Sequence, residues 1–470
     1  MEAAINAVVL AAGEGTRMRS RKPKVLCEVL FKPMISWVTD ALERAGIEDI
    51  CVVVGHGSEE VCQVLGDRFA VAMQTKRLGT GHAVLQGEAF LNSHRDGHTL
   101  ILCGDAPFVD EDTIRRSLES HLQSGNAVTV ITAELDDPTG YGRIVKDGGQ
   151  IVKIVEQKDA TEAERAIREV NSGAYWFETA ALLEVLHQLQ NDNAQGEYYL
   201  TDTVSLLLRA GRGAGTYTAQ SEDVVLGAND RLSLYKLGEI ARRRVIEKQM
   251  RQGVEFVTLD GIVLSPDCEI GADTTILPGT IIKGHTVVGC GCTIGPNSLL
   301  TDAVVGDGTV LNASQVTDSE IGSGVRMGPF VQVRPGSRVQ DGAKVGNFVE
   351  IKNSTVGEGT SVAHLTYVGD SDVGSGVNFG CGCVTVNYDG SQKYRTVIGD
   401  NAFIGCNTNL VAPVTVGEGA YTAAGSTITE DVPDGALAIE RGYQKTIENW
   451  AGKKLAGRIA KAKKKKEEER

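Results

Sequence analysis

The chain has 470 residues, 41% of them hydrophobic and 23% charged. That length and balance suit a folded protein of about three ~150-residue units and exclude wholesale disorder or a fibrous repeat. Apolar runs such as Ala7–Ala12 and Ile50–Val54 fall far short of the ~20 residues a membrane-spanning helix needs. Residues 1–6 carry no basic n-region, so no signal peptide is expected and the chain is read as cytoplasmic, with no membrane partner. The formal net charge of −14 is unevenly held: residues 254–435 contain 8 Lys+Arg against 20 Asp+Glu, and residues 436–470 contain 11 against 5. An acidic middle with a short basic tail offers no broad face for nucleic acid.

Residues 1–229 read as an α/β domain. Apolar runs at Ala7–Ala11, Ile50–Val54, Thr99–Leu102 and Ala127–Thr132 alternate with amphipathic stretches at Ile35–Ala45 and Glu111–Leu122, the pattern of a doubly wound, largely parallel sheet. Ligands in such sheets bind beyond the carboxyl ends of the strands. After the first run comes Leu10-Ala11-Ala12-Gly13-Glu14-Gly15-Thr16-Arg17-Met18, then Pro23-Lys24. Glycines let backbone approach a phosphate, and Arg17 and Lys24 supply compensating charge; tight-turn geometry alone accounts for Gly-x-Gly equally well. Met18 occupies the third glycine position of a dinucleotide fingerprint, and no Gly-Lys-Ser/Thr follows, so neither that fingerprint nor a Walker loop is present. After the third run comes Cys103-Gly104-Asp105, a carboxylate placed for a Mg²⁺–phosphate complex or, as readily, for a helix N-cap.

The order Leu10–Met18, Pro23-Lys24, Gln74, Leu78-Gly79-Thr80-Gly81-His82-Ala83, Gly104-Asp105, Gly140-Tyr141-Gly142-Arg143, Glu156, Asn171-Ser172-Gly173 and Asn229 resembles the sugar-1-phosphate nucleotidyltransferase family. The resemblance implies a nucleotide base near Leu10, Ala11, Ala12, Gly13 and Gln74, with Gly79, Thr80, Cys103 and Gly104 beside it. It puts phosphates near Arg17 and Lys24, the sugar near Gly142, Glu156 and Asn171, and Mg²⁺ on Asp105 and Asn229. Phosphoryl-type transfer relies on positioning and charge neutralisation, so no protein nucleophile is expected.

Residues 230–253 read as an amphipathic helical linker ending at Gly253. From 254 to 470 the period becomes six. Apolar residues stand at Ile270, Ile276, Ile282, Val288 and Ile294, at Ile321, Met327, Val333, Val339, Val345 and Ile351, and at Ile398, Ile404, Leu410 and Val416, often with glycine next. Glycine is about 12% of the whole (56 residues), and 29 of the 56 fall within 254–435. A six-residue period sustained this long marks a left-handed parallel β-helix of about ten coils. The phase breaks between Ile294 and Ile321, around Tyr367–Asp372 and at Val386–Val397, and each break is read as an outward loop. Ten cysteines include only two tight pairs, Cys290/Cys292 and Cys381/Cys383; either pair can share a metal if both thiols face one side, but small apolar filler is the simpler reading.

Near two of the breaks lie Arg334, Glu350, Lys352, His364-Leu365-Thr366-Tyr367, Asn378, Asn387-Tyr388-Asp389-Gly390 and Arg441. This cluster resembles the hexapeptide acyltransferases. With the first half, the chain from about residue 5 to Arg441 resembles a bacterial family of bifunctional enzymes, uridyltransferase in one domain and acetyltransferase in the other. That resemblance implies acetyl transfer from acetyl-CoA to glucosamine 1-phosphate, then uridyl transfer from UTP to N-acetylglucosamine 1-phosphate. His364 is then the general base, imidazole being the side chain suited to taking a proton near pH 7. Arg334 and Lys352 take the sugar phosphate; Tyr367, Asn378, Asn387 and Tyr388 line the acceptor site; Glu350 orients His364; and CoA lies near Cys381, Cys406, Ala424 and Arg441. A homotrimer is implied. Three cysteines depart from the family's common residues: Cys103 for Tyr, Cys381 for Ala and Cys406 for Ser. The tail Lys463–Lys466 with Glu467–Glu469 reads as a disordered charge run. The competing reading, a nucleotidyltransferase whose β-helix only regulates, needs neither ten coils nor the His364 cluster.

Overall fold

The computed structural model describes residues 4–468. The chain forms two compact units: one runs to Arg251 and takes in Val263–Pro266, and the other comprises Gln252–Ile262 with everything from Asp267 onward.

The first unit is built on a nine-stranded sheet. Its strands are β1 (Ile5–Ala11), β2 (Asp49–Val54), β3 (Ala70–Met73), β4 (His98–Cys103), β5 (Val128–Glu134), β6 (Arg143–Asp147), β7 (Gln150–Val155), β8 (Glu169–Glu178) and β9 (Ala214–Thr218). The order is β9-β5-β8-β4-β1-β2-β3, with the β6–β7 hairpin attached to β8. β1 runs parallel to β2 and β4, whereas β8 is antiparallel to β4 and β5. Strand alternation sends Ala7, Val9 and Ala11 into one core and Val8 into the other, because helices cover both faces. Among these are Met34–Arg44 and Glu111–Ser124. Leu10 pairs with Cys103 across β1 and β4, and the Gly104 N–H donates to the Leu10 carbonyl at 2.9 Å. The glycine loop and Asp105 therefore leave the sheet side by side. The helix Arg231–Arg251 closes this unit.

The second unit is a solenoid of three parallel sheets with eleven, ten and nine strands, the left-handed β-helix of the hexad pattern. Strands are mostly two or three residues, and one residue of each hexad points inward: Ile276, Ile282, Ile294, Leu300 and Ile351 are fully buried. Buried hydroxyls at the corners donate to carbonyls of the next coil, as Thr274 does to Gly289 and Thr309 to Gly322, both at 2.7 Å. Part of the acidity of this unit is structural. Asp307, Asp341, Asp400 and Asp434 accept backbone N–H groups of Cys290, Ser323, Ser375 and Glu418 one coil away, at 2.7–2.9 Å.

The three phase breaks resolve differently from expectation. Between Ile294 and Ile321 nothing loops out: Val288 pairs with Val305, Leu300 with Val316 and Val305 with Ile321, so individual hexads have lost one residue. The same holds at Tyr367–Asp372, where Val356 pairs with Val373. Only the third is an insertion. Val373 pairs with Ile398, and the intervening loop projects with a Tyr388–Lys393 bridge. The tail also differs: Trp450–Glu468 is an exposed α-helix, since Lys and Glu are good helix formers whatever their solvation. Glu469 lies outside the described residues.

Stacked hexads make each inward side chain a rung in a continuous core. Ile351→Ala should therefore lower the unfolding free energy of the β-helix by about 2–5 kcal/mol, whereas Val287→Ala, at an outward position 39% exposed, should change it by less than ~0.5 kcal/mol. Equilibrium urea denaturation of the two variants checks the difference.

Candidate functional site

A cleft of about 390 Å³ opens beyond the carboxyl ends of β1 and β4. Leu10, Ala12, Gly13, Arg17, Lys24, Gln74, Gly79, Thr80, Cys103, Asp105 and Asn229 all line it. Ala11 is buried behind it, and Gly104 is held against the Leu10 carbonyl. Gly15 has φ +63°, and a Cβ there would stand 2.5 Å from the Lys24 Cβ, so only glycine lets the loop fold over Lys24. The Lys24 ammonium is the centre of the cleft: it donates to Asn229 Oδ1 at 2.9 Å and forms an ion pair with Asp105, whose side chain is 25% exposed. Asp105 caps no helix; the N-cap of the following helix is Asp110, whose carboxylate accepts the Thr113 N–H at 2.9 Å.

Gly142, Glu156 and Asn171 form a second cluster in the same unit. A Cβ on Gly142 would lie 3.5 Å from Glu156 Oε1 and 3.6 Å from Asn171 Cβ. Burial, then the charges of Asp159 and Asp202, push the Glu156 carboxyl above its usual range. Asn171 donates from Nδ2 to the Tyr175 hydroxyl at 2.5 Å, and its Oδ1 accepts the Gly173 N–H at 3.0 Å. Cys103 reaches from the cleft to this cluster, its thiol 3.8 Å from the Gly173 carbonyl. Burial drives that thiol up to about 12, with the Asp105 charge adding to it.

In the β-helix, His364, Cys381, Cys406 and Ala424 stack along one corner. Asn347 pairs with His364, Asn407 N–H donates to the Cys381 carbonyl and Gly425 N–H to the Cys406 carbonyl, both at 2.8 Å. Arg441 caps the column by donating to the Ala424 carbonyl at 2.9 Å. Asn378 sits on the sheet that ends at His364, paired with Ser361. Arg334 and Lys352 pair on the neighbouring sheet, as do Glu350 and Tyr367. Glu350 accepts from Arg334 at 2.9 Å, and among the described residues no hydrogen bond joins it to His364. The expectation that Glu350 orients the imidazole is therefore not met. Its strand lies one sheet beyond the corner, and the nearer guanidinium takes the carboxylate. Tyr388 is exposed on the inserted loop, its hydroxyl donating to the Gly390 carbonyl at 2.7 Å.

Several residues escape the sequence pattern. Glu14 and Arg77 pair at 2.6 Å over the first cleft, which Glu197 also lines. Arg77 stands beside the Gly79 motif, a usable signal; Glu197 has none. Asp370 is buried, with Asn353 donating at 2.6 Å to one oxygen and Asn387 donating to the other. Burial disfavours its charged form, but those two hydrogen bonds and the Lys352 and Lys393 charges outweigh it and hold the carboxyl below its usual range. Asp370 thus ties the inserted loop to the coil bearing Lys352. In each tight cysteine pair the second thiol, Cys292 or Cys383, is buried and donates to the Gly306 or Gly405 carbonyl at 3.2 or 3.1 Å, as small filler would. Among the described residues no group of three or more His, Cys, Asp or Glu could hold an ion.

A nucleotide-sized cleft at a topological switch point and a hexapeptide β-helix define a two-domain transferase. Residues 6–225 match the nucleotidyl transferase family model, and residues 395–430 match the bacterial transferase hexapeptide (six repeats) model. The chain is 50% identical over 449 residues to the bifunctional protein GlmU of Caldanaerobacter subterraneus subsp. tengcongensis, covering 95% of this chain and 98% of that one. It is 49% identical to that of a Geobacillus species (94% and 97% covered) and 48% identical to that of Halalkalibacterium halodurans (95% and 98% covered). The chain belongs to the GlmU family of bifunctional proteins. It is a uridyltransferase and glucosamine-1-phosphate acetyltransferase, acting on nucleotide and sugar-phosphate substrates, and its nucleotidyltransferase family uses a divalent metal. No described helix is long and apolar enough to cross a membrane.

With its thiol pushed up to about 12, Cys103 holds only ~10⁻⁴ of its population as thiolate at pH 8. Alkylation by iodoacetamide at that pH should label exposed Cys290 and Cys406 well before Cys103, as peptide mass spectrometry would read.

Proposed function

We propose that the β-helix acetylates glucosamine 1-phosphate from acetyl-CoA and that the sheet domain then transfers uridylate from UTP to N-acetylglucosamine 1-phosphate, releasing pyrophosphate. The observation that carries the uridyl half is the convergence of Asp105 and Asn229 on one ammonium. Two protein oxygens that can share a cation fit Mg²⁺, which prefers few protein ligands and takes the rest from phosphates and water. Bound there, Mg²⁺ would neutralise triphosphate charge. Lys24 and Arg17, both lining the cleft, hold the phosphates and absorb charge as the sugar phosphate oxygen attacks the α-phosphate in line. The base lies against Leu10, Ala12, Gly13 and Gln74; Gly142, Glu156 and Asn171 take the sugar.

In the acetyl half, His364 is the general base that removes the proton from the 2-amino group as it attacks the thioester. Its ring is exposed and makes no hydrogen bond to another described residue, so it is free to meet an amine. Arg334 and Lys352 take the sugar phosphate, Tyr367, Asn378, Asn387 and Tyr388 line the acceptor, and the corner of Cys381, Cys406 and Ala424 with Arg441 takes CoA. The active form is a homotrimer. Beside His364, Leu365 is 59% exposed, and Phe348 and Phe330 are 57% and 60% exposed and stacked at 5.3 Å. An apolar ridge of this kind supports burial against a second copy. The enzyme is placed in the cytoplasm, where UTP and acetyl-CoA are made.

Separate measurement of thiol and pyrophosphate release tests both halves. Asp105→Asn should abolish pyrophosphate release with acetyl transfer intact, and His364→Ala should lower acetyl transfer by about 10²–10⁴-fold with uridyl transfer intact. Uridyl transfer at wild-type rate in the first variant would remove the metal assignment. Unchanged acetyl transfer in the second would remove His364 from the mechanism.

A further inference from the structure

Arg143 is 1% exposed, yet among the described residues no carboxylate forms an ion pair with it. Its Nη1 donates to the Tyr141 carbonyl, and its Nη2 donates to Gln157 Oε1 at 2.8 Å and to the Arg165 carbonyl at 3.4 Å. Its buried Nε has no hydrogen-bond partner among the described residues. A buried cation held only by neutral oxygens is a costly arrangement, and a second cation, Arg165, stands nearby while only Asp137 opposes it. Neither the core nor the chemistry proposed above uses this charge.

The fork joins three separate chain segments: the turn entering β6, the turn leaving β7 and the end of the short helix Glu162–Arg165. Gly142 lies between Tyr141 and Arg143, and Glu156 immediately precedes Gln157. Gln157 Oε1 also accepts the Gly140 N–H at 3.2 Å, and the Gly142 carbonyl accepts the Asn171 N–H at 2.9 Å. The guanidinium thus bonds to the chain neighbours of Gly142 and Glu156, Gly142 in turn holds Asn171, and Arg143 does not line the cleft. A Cβ on Gly142 would already contact Ile154 at 3.3 Å, so movements of a few tenths of an ångström decide what fits among the three.

We propose that Arg143 is the positioning residue of the acceptor end of the uridyl site, setting the separation of Gly142, Glu156 and Asn171 and so its affinity for the sugar phosphate, without touching substrate. This rests on the reading that those three residues hold the sugar. A planar fork with three acceptors is what lysine cannot reproduce.

The test is uridyl-transfer kinetics on the full chain, with acetyl transfer as the control for folding. Arg143→Lys keeps the charge and loses the fork. It should raise KM for N-acetylglucosamine 1-phosphate about 10-fold or more, the scale of one lost charge-assisted hydrogen bond, while KM for UTP stays within about 2-fold, the spread of a substitution that misses that substrate's contacts. Gln157→Ala removes one acceptor from a part-exposed position and should shift the same constant in the same direction, by about 3-fold. It carries the test alone should Arg143→Lys fail to fold. Unchanged sugar KM in the folded variants, or equal rises for sugar and UTP, would overturn the inference. Asn171→Ala separates the two layers: a sugar KM unmoved by that change overturns the acceptor-site reading itself, whereas a rise there with Arg143→Lys and Gln157→Ala silent overturns only the role of Arg143.

Discussion

One ammonium, Lys24, sits between the carboxylate of Asp105 and the amide oxygen of Asn229, residues far apart in sequence that arrive at the same point. The sheet and the glycine loop bring those groups together. β1 and β4 are adjacent and parallel, so the glycine loop and Asp105 leave the sheet together. The loop can fold back over Lys24 because position 15 has no side chain. Lys24 and Asp105 are 13% and 25% exposed at their side chains, so their attraction is only partly screened by water.

The second unit uses a different economy of means. Each hexad supplies one inward rung, and the outward residues and corners are left for chemistry. Corner positions on successive coils stack in register, so His364, Cys381, Cys406 and Ala424 form a column although 60 residues of chain separate the first from the last. The single insertion rises beside this column and is anchored by buried Asp370 through Asn387.

Much of this was legible in the chain before folding. The hexad rungs from Ile270 to Val416 carry the β-helix because no other regular structure repeats every six residues. The glycine loop, Lys24, Asp105 and Asn229 are found by their order along a recognisable motif. What escaped did so for physical reasons. Spacing counts residues but does not say which hexad lost one, so shortened coils at Val305, Val316 and Ile321 looked like an outward loop. Lys463–Lys466 looked disordered by charge, although the same residues favour helix. Glu350 looked like a partner for His364 because both lie in one motif cluster, yet the sheet boundary separates them and Arg334 claims the carboxylate. Asp370, and the burial of Arg143 away from any described carboxylate, acquire meaning only when distant segments meet.

The account stands on the claim that Asp105 and Asn229 form, with the nucleotide, the divalent-cation site. Water-proton relaxation during a Mn²⁺ titration reads this without turnover, with UTP present and absent, on the wild type and on Asp105→Ala. The expected result is tight, saturable Mn²⁺ binding only when UTP is bound, weakened about 10-fold or more in the variant, as loss of a direct charged ligand implies. Equal Mn²⁺ affinity in the two proteins would contradict the claim.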